Sequence, residues 1–355
     1  MPGGAPACVP PAGRFANVGT FLYISGNQIT QSYDPGNCVY VPPVVANIKK
    51  MKAILISGGS GLVGRHLSKK LKEKGYCVAV LSRASRQDKD ILTYAWDIDK
   101  SEIEKVAIET TDYIVHLAGA NIGDRRWTNK RRQLIIDSRV KTGQLIFDKI
   151  KENKNKLKAF ISASAIGYYG TITTDTIFSE TDQPSNDFLG QTCCQWEQSA
   201  DSFAKFGIRT VKIRTAIVLT KHGGALARMI TPVKLGIGSA IGSGRQFIPW
   251  IHLDDLCGIY IKAIEDTEMN GVYNAVAPDH KTNRDFTEIL ARVLKKPFWF
   301  PNVPALLLKL IFGKMSEIFL NGSRVSSEKI IKAGYSFKFA NLESALVDLL
   351  TKNTK

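Results

Sequence analysis

Three glycines follow a short apolar run and precede a stretch of helix-forming residues. In the segment MKAILISGGSGLVGRHL (51–67), Gly58 permits a sharp turn, Gly61 lets a phosphate approach the backbone, and Gly64 lets the next helix pack tightly. The amide groups that open a helix over 62–74 then point at the phosphates, supported by the helix dipole. The pattern predicts a dinucleotide-binding turn in which backbone groups hold the pyrophosphate. The contacts are expected from Gly58, Ser60, Gly61, Leu62, Val63 and Gly64.

The end of the second predicted strand, CVAVLS (77–82), indicates which dinucleotide is bound. An acidic residue at this place binds the ribose 2′-hydroxyl of NAD. Here the place is taken by Ser82, Arg83, Ser85 and Arg86. Because a guanidinium forms charge-assisted hydrogen bonds with a 2′-phosphate, the sequence predicts NADP in preference to NAD. The alternative is an exposed loop arginine that binds no ligand.

Further cofactor contacts are predicted at the ends of the following strands. Asp97, in TYAWDID, is placed to meet the adenine, and the small residues Ala118 and Gly119 let the backbone lie close to the cofactor. Outside the turn, the candidate cofactor residues are Ser82, Arg83, Asp97, Leu117, Ala118, Gly119 and Ser138. His116 lies within an apolar strand, and we interpret it as a core residue in preference to a catalytic one.

These residues are positioned by an alternation of short β-branched runs and longer helical runs that starts at Met51. Such alternation is typical of a parallel sheet covered by helices on both faces. The strand candidates are 53–57, 77–82, 113–118, 158–164, 209–219 and 271–277, together with the strand-like TYAWDID. We therefore predict an α/β fold of the Rossmann type, with a doubly wound parallel sheet.

The charge balance is strongly basic, with a formal net charge of +16. The Lys and Arg residues are spread along the chain without a nucleic-acid-binding motif, so we predict no nucleic-acid partner. The densest cluster is Arg125, Arg126, Lys130, Arg131 and Arg132, around Trp127. It either attracts an anionic substrate or coats a helix start, and the sequence leaves both open. Arg126 and Trp127 are candidate substrate contacts.

Six cysteines, at positions 8, 38, 77, 193, 194 and 257, lack the spacing of metal ligands. The sequence thus predicts no metal site and a reducing, cytoplasmic environment.

No apolar stretch reaches the roughly 18 residues of a membrane span, so we expect a soluble protein without a membrane partner. The run ALLLKLIFGKM (305–315) follows two prolines and predicts a hydrophobic lid or domain-packing helix in preference to a membrane-surface contact.

Residues 1–50 differ from the rest of the chain. They contain seven of the 14 prolines, and their only charged residues are Arg14, Asp34, Lys49 and Lys50. Such a segment packs poorly by itself, so we expect a disordered extension or a mis-assigned start before a physiological Met51. A transit peptide is the alternative, weakened by the single arginine.

Several motifs in a fixed order carry a resemblance to a known family. They are SGGSGLVG (57–64), YAWDID (94–99), HLAGANI (116–122), DSRVKTGQL (137–145), SASAIGYYG (162–170) and GSGRQFIPWIHLDDL (242–256). From residue 51 to about 350, the chain resembles the extended short-chain dehydrogenase/reductase superfamily. It is most similar to the atypical, nucleotide-sugar-epimerase-like branch of the SDR39U type, whose members end in a C-terminal domain of unknown function.

The resemblance implies two domains with a substrate cleft between them. A Rossmann domain would span 51–220 and be rejoined by 251–277, and a smaller α/β substrate domain would lie mostly in 221–355. By analogy, Ser164 polarises the substrate, while Asp254 and Asp255 serve the structure as an N-cap. The expected substrate contacts are Arg126, Trp127, Arg245 and Trp250.

The chain departs from the superfamily at the catalytic pair, a tyrosine followed by a lysine four residues later on one helix. That spacing lets the ammonium lower the phenol pKa. Alignment of the corresponding helix, FLGQTCCQWEQSADSF, sets Thr192 in the tyrosine place and Trp196 in the lysine place. A threonine hydroxyl is too weak an acid and an indole carries no charge, so neither residue can do this chemistry.

Two functions remain open. In the first, an NADP-dependent oxidoreductase or epimerase acts on a carbonyl or sugar-nucleotide-like small molecule, and Ser164 with Tyr168 or Tyr169 transfers the proton. The two tyrosines could equally pack beneath the nicotinamide. In the second, the protein binds NADPH without turnover, as a redox sensor or interaction protein. We expect a monomer or homodimer.

Overall fold

The computed structural model describes residues 22–25, 28–31, 51–83, 91–153 and 156–351. In the unit Met1–Met51 it contains two strands, β1 (Leu22–Ser25) and β2 (Gln28–Gln31), which pair antiparallel. These strands lie in the segment for which the sequence predicts a disordered extension or a mis-assigned start, and that expectation stays a prediction. The rest of residues 1–50 lies outside the described residues, as do Ser85 and Arg86.

The unit Lys52–Lys355 is organised around a sheet of eight strands. In chain order its strands, and those of two small sheets, are β3 (Ala53–Ser57), β4 (Cys77–Ser82), β5 (Leu92–Asp97), β6 (Glu102–Ile103), β7 (Tyr113–His116), β8 (Ala159–Ala165), β9 (Ile177–Phe178), β10 (Arg209–Thr215), β11 (Ile217–Leu219), β12 (Trp250–His252), β13 (Gly271–Ala275) and β14 (Arg324–Val325). The large sheet has the order β13-β10-β8-β7-β3-β4-β5-β6, and it is parallel except at the β5–β6 edge.

This order is that of a Rossmann fold, because the chain runs outward from β3 through β4 to β5 and then crosses back to continue from β7. Strands β7 and β8 are almost entirely buried, as expected for central strands of a parallel sheet that is covered on both faces. The predicted α/β fold with a parallel sheet is confirmed. Ligands of such sheets bind at the carboxyl ends of the strands where the order reverses, here between β3 and β7.

Eleven helices are described, in addition to 3-10 turns at Ile166–Tyr169 and Gly313–Ser316. They are α1 (Leu62–Glu73), α2 (Lys105–Glu109), α3 (Asn129–Asn153), α4 (Phe188–Lys205), α5 (Gly224–Lys234), α6 (Leu253–Glu265), α7 (Asn283–Val293), α8 (Ala305–Phe312), α9 (Glu317–Leu320), α10 (Glu328–Lys332) and α11 (Leu342–Thr351). Apolar residues of α1 and α6 share one core with the sheet, and those of α3 and α4 share a second. In the second core the rings of Phe160 and Phe203 stack with centroids 3.7 Å apart.

The C-terminal residues build a third core from β11, β12, α5, α7 and α11. The predicted strand over 209–219 is therefore two strands, since β10 belongs to the large sheet whereas β11 pairs with β12. The predicted C-terminal domain over 221–355 is also divided. Val325 and Ile330 of its later part pack into the core of the large sheet, beside the edge strand β13.

None of the helices in the described ranges is long and apolar enough to cross a membrane.

His116 is fully buried at the end of β7, consistent with our interpretation of it as a core residue. Its Nδ1 lies 2.7 Å from the Ser57 hydroxyl, and its ring stacks on Phe160. Burial disfavours the imidazolium and lowers the pKa of His116 from 6.5 to about 4. The residue is thus neutral at physiological pH.

We expect this histidine to make the fold sensitive to acid. Between pH 6.5 and 4 the unfolded chain binds a proton at His116 and the folded chain does not, so stability falls as the pH falls through this window. From pH 7 to pH 4.5 the free energy of unfolding should drop by about 2 to 3 kcal/mol through this group. Urea denaturation of His116→Asn should show a correspondingly shallower pH dependence. The exposed His222→Asn is the control, and equal slopes for the two variants would contradict the assignment.

Candidate dinucleotide site

The turn between β3 and α1 comes so close to neighbouring backbone that side chains are excluded. Gly58 has φ +74°, and a Cβ there would lie 2.8 Å from the carbonyl carbon of Leu117. A Cβ on Gly64 would overlap the carbonyl oxygen of Gly58. The Gly61 N–H donates to that same oxygen at 3.0 Å and closes the turn. The structure thus brings the three predicted glycines together at the carboxyl end of β3.

The amino end of α1 is open for an anion. Its N-cap is Gly61, which provides no side-chain cap, and no acidic residue stands in the first turn. The first amide groups of a helix have no intrahelical acceptors and carry the positive end of the dipole. The geometry therefore suits a pyrophosphate held by backbone groups.

One glycine of the turn was not predicted as functional. A Cβ on Gly59 would overlap the Val80 side chain of β4, so this residue sets how closely the turn packs on the sheet. The consecutive glycines in SGGSG were the available signal.

The segment after β7 lies beside the turn. Leu117 and Ala118 provide the backbone that Gly58 approaches, and the Ala120 N–H donates to Ser138 Oγ at 2.9 Å. Ser138 thus fixes the segment that contains the predicted contacts Leu117, Ala118 and Gly119. Ser82 ends β4 and the exposed Arg83 follows it, at the same edge of the sheet.

Asp97 ends β5, where its carboxylate accepts from the N–H groups of Asp99 at 3.0 Å and Lys100 at 3.1 Å. This arrangement gives Asp97 a turn-capping role. The predicted adenine contact would come in addition to it.

Arg139 is a candidate that the sequence analysis missed. Its guanidinium donates to the carbonyl oxygens of Ile135 at 2.8 Å and Ala120 at 3.0 Å, and it lies against the indole ring of Trp196. Burial lowers the pKa of Arg139 to about 10, and no ion pair with a carboxylate occurs among the described residues. A half-buried cation without a carboxylate partner is a candidate for an anionic ligand. The available signal was helical spacing, because Arg139 lies four residues after the buried Ile135.

The two residues aligned with the catalytic pair are both buried on α4. The Thr192 hydroxyl donates to the Phe188 carbonyl at 2.7 Å, and the indole N–H of Trp196 has no partner in the described part of the chain. Helix α4 contains no tyrosine, and its one lysine is Lys205 at the last position. This helix therefore has no tyrosine followed by a lysine four residues later.

Ser164 belongs to a buried ionic network across β8, β10 and α4. Its hydroxyl donates to Glu197 Oε1 at 2.7 Å. Glu197 also receives two hydrogen bonds from Arg214, at 2.8 and 2.9 Å, and both partners are buried. Arg214 donates further to the Tyr169 hydroxyl at 2.9 Å, which itself donates to Asn274 Oδ1 at 2.8 Å. The protons of Ser164 and Tyr169 are thus engaged within the protein.

Neither tyrosine after β8 is prepared to act as a base. Burial raises the pKa of Tyr169 to about 12, and it also raises that of Tyr168, despite the Arg214 guanidinium 3.3 Å from the Tyr168 ring centre. Both phenols are protonated at neutral pH. Tyr168 lines a cavity of about 300 Å³ together with Cys194 and Lys212.

The predicted substrate residues do not gather in one place. Trp250 is fully buried in the C-terminal core, where its indole N–H donates to the Asp279 carbonyl at 3.0 Å. Trp127 is buried against Phe188, and its N–H donates to the Ile122 carbonyl at 2.8 Å. Both tryptophans therefore have packing roles, because their polar atoms are used and their rings are enclosed. The substrate contacts expected of them stay a prediction.

The two arginines predicted with them are exposed. Arg126 donates to the carbonyl oxygens of Leu310 and Ile311 and so holds the end of α8. Arg245 follows the turn at Gly244, and its backbone N–H donates to Ser243 Oγ at 3.2 Å.

Asp254 and Asp255 are structural, as expected, but neither is the N-cap. His252 caps α6 by accepting from the Asp254 N–H at 3.0 Å. Asp254 binds His66, Lys70 and Lys338, while Asp255 accepts from the backbone of Lys338 and Phe339. No cluster of potential metal ligands occurs in the ranges that the structure describes.

The strand order of the large sheet and the glycine-rich turn together define the class of this protein, which is a dinucleotide-binding protein of the epimerase type. The chain belongs to the NAD dependent epimerase/dehydratase family, whose model matches residues 54–275. Residues 303–349 match a second model, the domain of unknown function DUF1731. The resemblance drawn from the motifs is thus confirmed.

Relatives of known sequence or structure agree with this assignment. Epimerase family protein YfhF of Bacillus subtilis is 34% identical over 298 residues, covering 84% of this chain and 97% of that protein. The crystal structure of human epimerase family protein SDR39U1 with NADPH has a TM-score of 0.75 at 30% identity, covering 85% of this chain and 100% of that one. A nucleoside-diphosphate sugar epimerase from Corynebacterium glutamicum has a TM-score of 0.69 at 27% identity, covering 84% of this chain and 58% of its own.

We expect Arg139 to contribute to dinucleotide binding. Loss of a charge-assisted hydrogen bond in Arg139→Met should weaken NADPH binding about tenfold or more in calorimetric titration. The matched control is Arg209→Met, because Arg209 also donates to two carbonyl oxygens, those of Ala263 and Met269, at the opposite end of the sheet. Equal affinities of the two variants, with both folded by thermal melting, would contradict this role.

Proposed function

We propose that the protein is an NADP-dependent oxidoreductase or epimerase that acts on a carbonyl or sugar-nucleotide-like small molecule. The observation that carries this proposal is the turn from β3 to α1, where three glycines leave the backbone bare and the helix begins without a side-chain cap. The human relative at 30% identity was crystallised with NADPH, which supports a dinucleotide at the same turn.

The preference for the phosphorylated carrier rests on the end of β4. Ser82 and the exposed Arg83 stand where NAD-binding proteins place an acidic residue. A hydroxyl and a guanidinium can bind a 2′-phosphate, whereas a carboxylate would repel it. Backbone amides of α1, together with Arg139, would neutralise the charge of the diphosphate.

The bound carrier would supply or accept a hydride, and the protein would have to supply the proton. Burial keeps the Tyr168 phenol protonated at neutral pH. A protonated phenol that is correctly positioned can donate its proton to an oxygen that gains negative charge. Tyr168 is the better of the two tyrosines for this role, since the Tyr169 hydroxyl is committed to Asn274 and Arg214. Carbonyl reduction with Tyr168 as the proton donor is therefore the favoured chemistry.

A second function is favoured by the state of Ser164. Its hydroxyl donates to Glu197, and α4 offers no tyrosine and lysine at the usual spacing. A protein with these features could bind NADPH and change its affinity for a partner without turnover.

The two functions are separated by following NADPH absorbance at 340 nm against a panel of aldehydes, ketones and 4-keto sugar nucleotides. The enzyme should consume NADPH with at least one of them, and Tyr168→Phe should slow this reaction about a hundredfold or more. Trp299→Phe, a change at an exposed ring, is the control. Tight NADPH binding with no consumption across the panel would favour the sensor.

The preference for NADP is tested by Arg83→Asp. Replacing the guanidinium by a carboxylate should weaken NADPH binding about a hundredfold and leave NADH binding within about threefold, because NADH has no 2′-phosphate. Lys69→Asp makes the same charge change at an exposed site on α1. An unchanged ratio of the NADPH and NADH affinities in Arg83→Asp would show that Arg83 does not bind the 2′-phosphate.

A further inference from the structure

Large apolar side chains are exposed together around α8. The apolar face is defined by Trp299, Phe300, Leu306, Leu307, Leu310 and Ile311, whose exposed fractions are 70%, 40%, 69%, 47%, 67% and 51%. On α8 the four aliphatic residues fall at spacings of one and four, which places them on one side of the helix. Leu308, on the opposite side, is buried. The helix is therefore anchored to the protein by one side and exposes its other side to solvent.

The apolar face continues onto a neighbouring loop. Val303 forms a parallel bridge with Ile241, and its N–H donates to the Ala240 carbonyl at 2.8 Å. This pairing brings the segment before α8 alongside the loop that contains Leu235 and Ile237, which are 72% and 47% exposed. Contiguous exposed apolar area of this kind marks a surface that contacts something else. The predicted domain-packing helix does not account for it, because 40% or more of each of these side chains is left exposed.

The helix is held rigidly in this orientation. It begins after Pro304 and ends at Gly313, whose φ of +58° reverses the chain. Arg126 donates to the carbonyl oxygens of Leu310 and Ile311 and satisfies the carboxyl end. Phe312 packs with Trp127 and Met315 beneath the helix. The exposed side chains are thus displayed by a fixed element.

The charged residues in the segment that contains the apolar face are mostly positive. Between residues 294 and 320 the charged residues are Lys295, Lys296, Lys309, Lys314 and Glu317. All four lysines are exposed, and none forms an ion pair with a carboxylate in the described ranges. Lys309 lies on α8 beside the apolar face. Apolar side chains, an exposed tryptophan and flanking lysines are the features of helices that lie in a membrane interface.

We propose, in contrast to the sequence-based expectation of no membrane partner, that the apolar face binds the surface of an anionic lipid bilayer. Its leucines and aromatic rings would enter the boundary between headgroups and acyl chains, while the four lysines would contact the phosphates. A second copy of the chain fits this face less well, because pairing two copies would bring eight unpaired lysines together in a protein of net charge +16. The surface is independent of the proposed chemistry at the dinucleotide site.

The test is co-sedimentation of the full chain with vesicles of phosphatidylcholine containing 30% phosphatidylserine. We expect binding to these vesicles in 0.1 M salt, about tenfold weaker binding to pure phosphatidylcholine, and a similar loss in 0.5 M salt through screening. Leu306→Gln with Leu310→Gln should reduce binding about tenfold or more by removing buried apolar area. Because both side chains are exposed, the variant should fold and bind NADPH as the original chain does.

The matched control is Leu92→Gln with Ile331→Gln, two exposed apolar residues outside this face, which should retain vesicle binding. Absence of binding to anionic vesicles would overturn the proposal. So would equal binding of the two double variants. Analytical ultracentrifugation supplies the remaining outcome, since a dimer that only Leu306→Gln with Leu310→Gln dissociates, without vesicle binding, would assign the face to a second copy.

Discussion

The fold and the site depend on one close approach, between the turn after β3 and the backbone that leaves β7. Gly58 meets Leu117, Gly59 meets the Val80 side chain and Gly64 meets the carbonyl of Gly58, each with no space for a methyl group. The absence of side chains at these glycines lets α1 pack on the sheet, and it also leaves the first amide groups of α1 exposed to a ligand. A side chain at any of these positions would displace the turn from the neighbouring backbone or side chain, so the arrangement that exposes these amides depends on all three glycines.

The candidate dinucleotide site and the region beyond β8 differ in the interactions that they offer. At the candidate dinucleotide site, backbone groups and one helix dipole would provide the binding, with little dependence on side-chain identity. Beyond β8 the structure instead contains a buried ion pair between Glu197 and Arg214. Glu197 also accepts a hydrogen bond from Ser164, and Arg214 also donates one to Tyr169. Such a network is stable only when every member is satisfied. It engages Ser164, the serine expected by analogy to polarise the substrate, in the protein interior, which is why the proposed proton donor is the neighbouring Tyr168.

Sequence reasoning succeeded where one local pattern determines the structure. Strands β3 and β4 were predicted to the residue, because continuous apolar runs bounded by turns fit a buried parallel sheet. It failed where tertiary packing determines which sheet a strand joins or whether a side chain is enclosed. The β-branched segment at 209–219 does not reveal that β11 joins another sheet, and the sequence around Trp250 does not show that its indole is enclosed in a core. Arg139 escaped notice because neither its burial nor its lack of a carboxylate is visible in sequence.

The passage of the chain from the large sheet to the C-terminal core has a mechanical consequence. At Ala216 the backbone leaves β10 and enters β11, and the returning chain runs alongside as β12, tied to it in register from Ile217–Trp250 to Leu219–His252. Two strands bonded side by side resist twisting far more than one linker would. The large sheet and the C-terminal core are therefore joined by two paired strands. This connection permits bending perpendicular to the plane of the pair and opposes rotation about the strand axis.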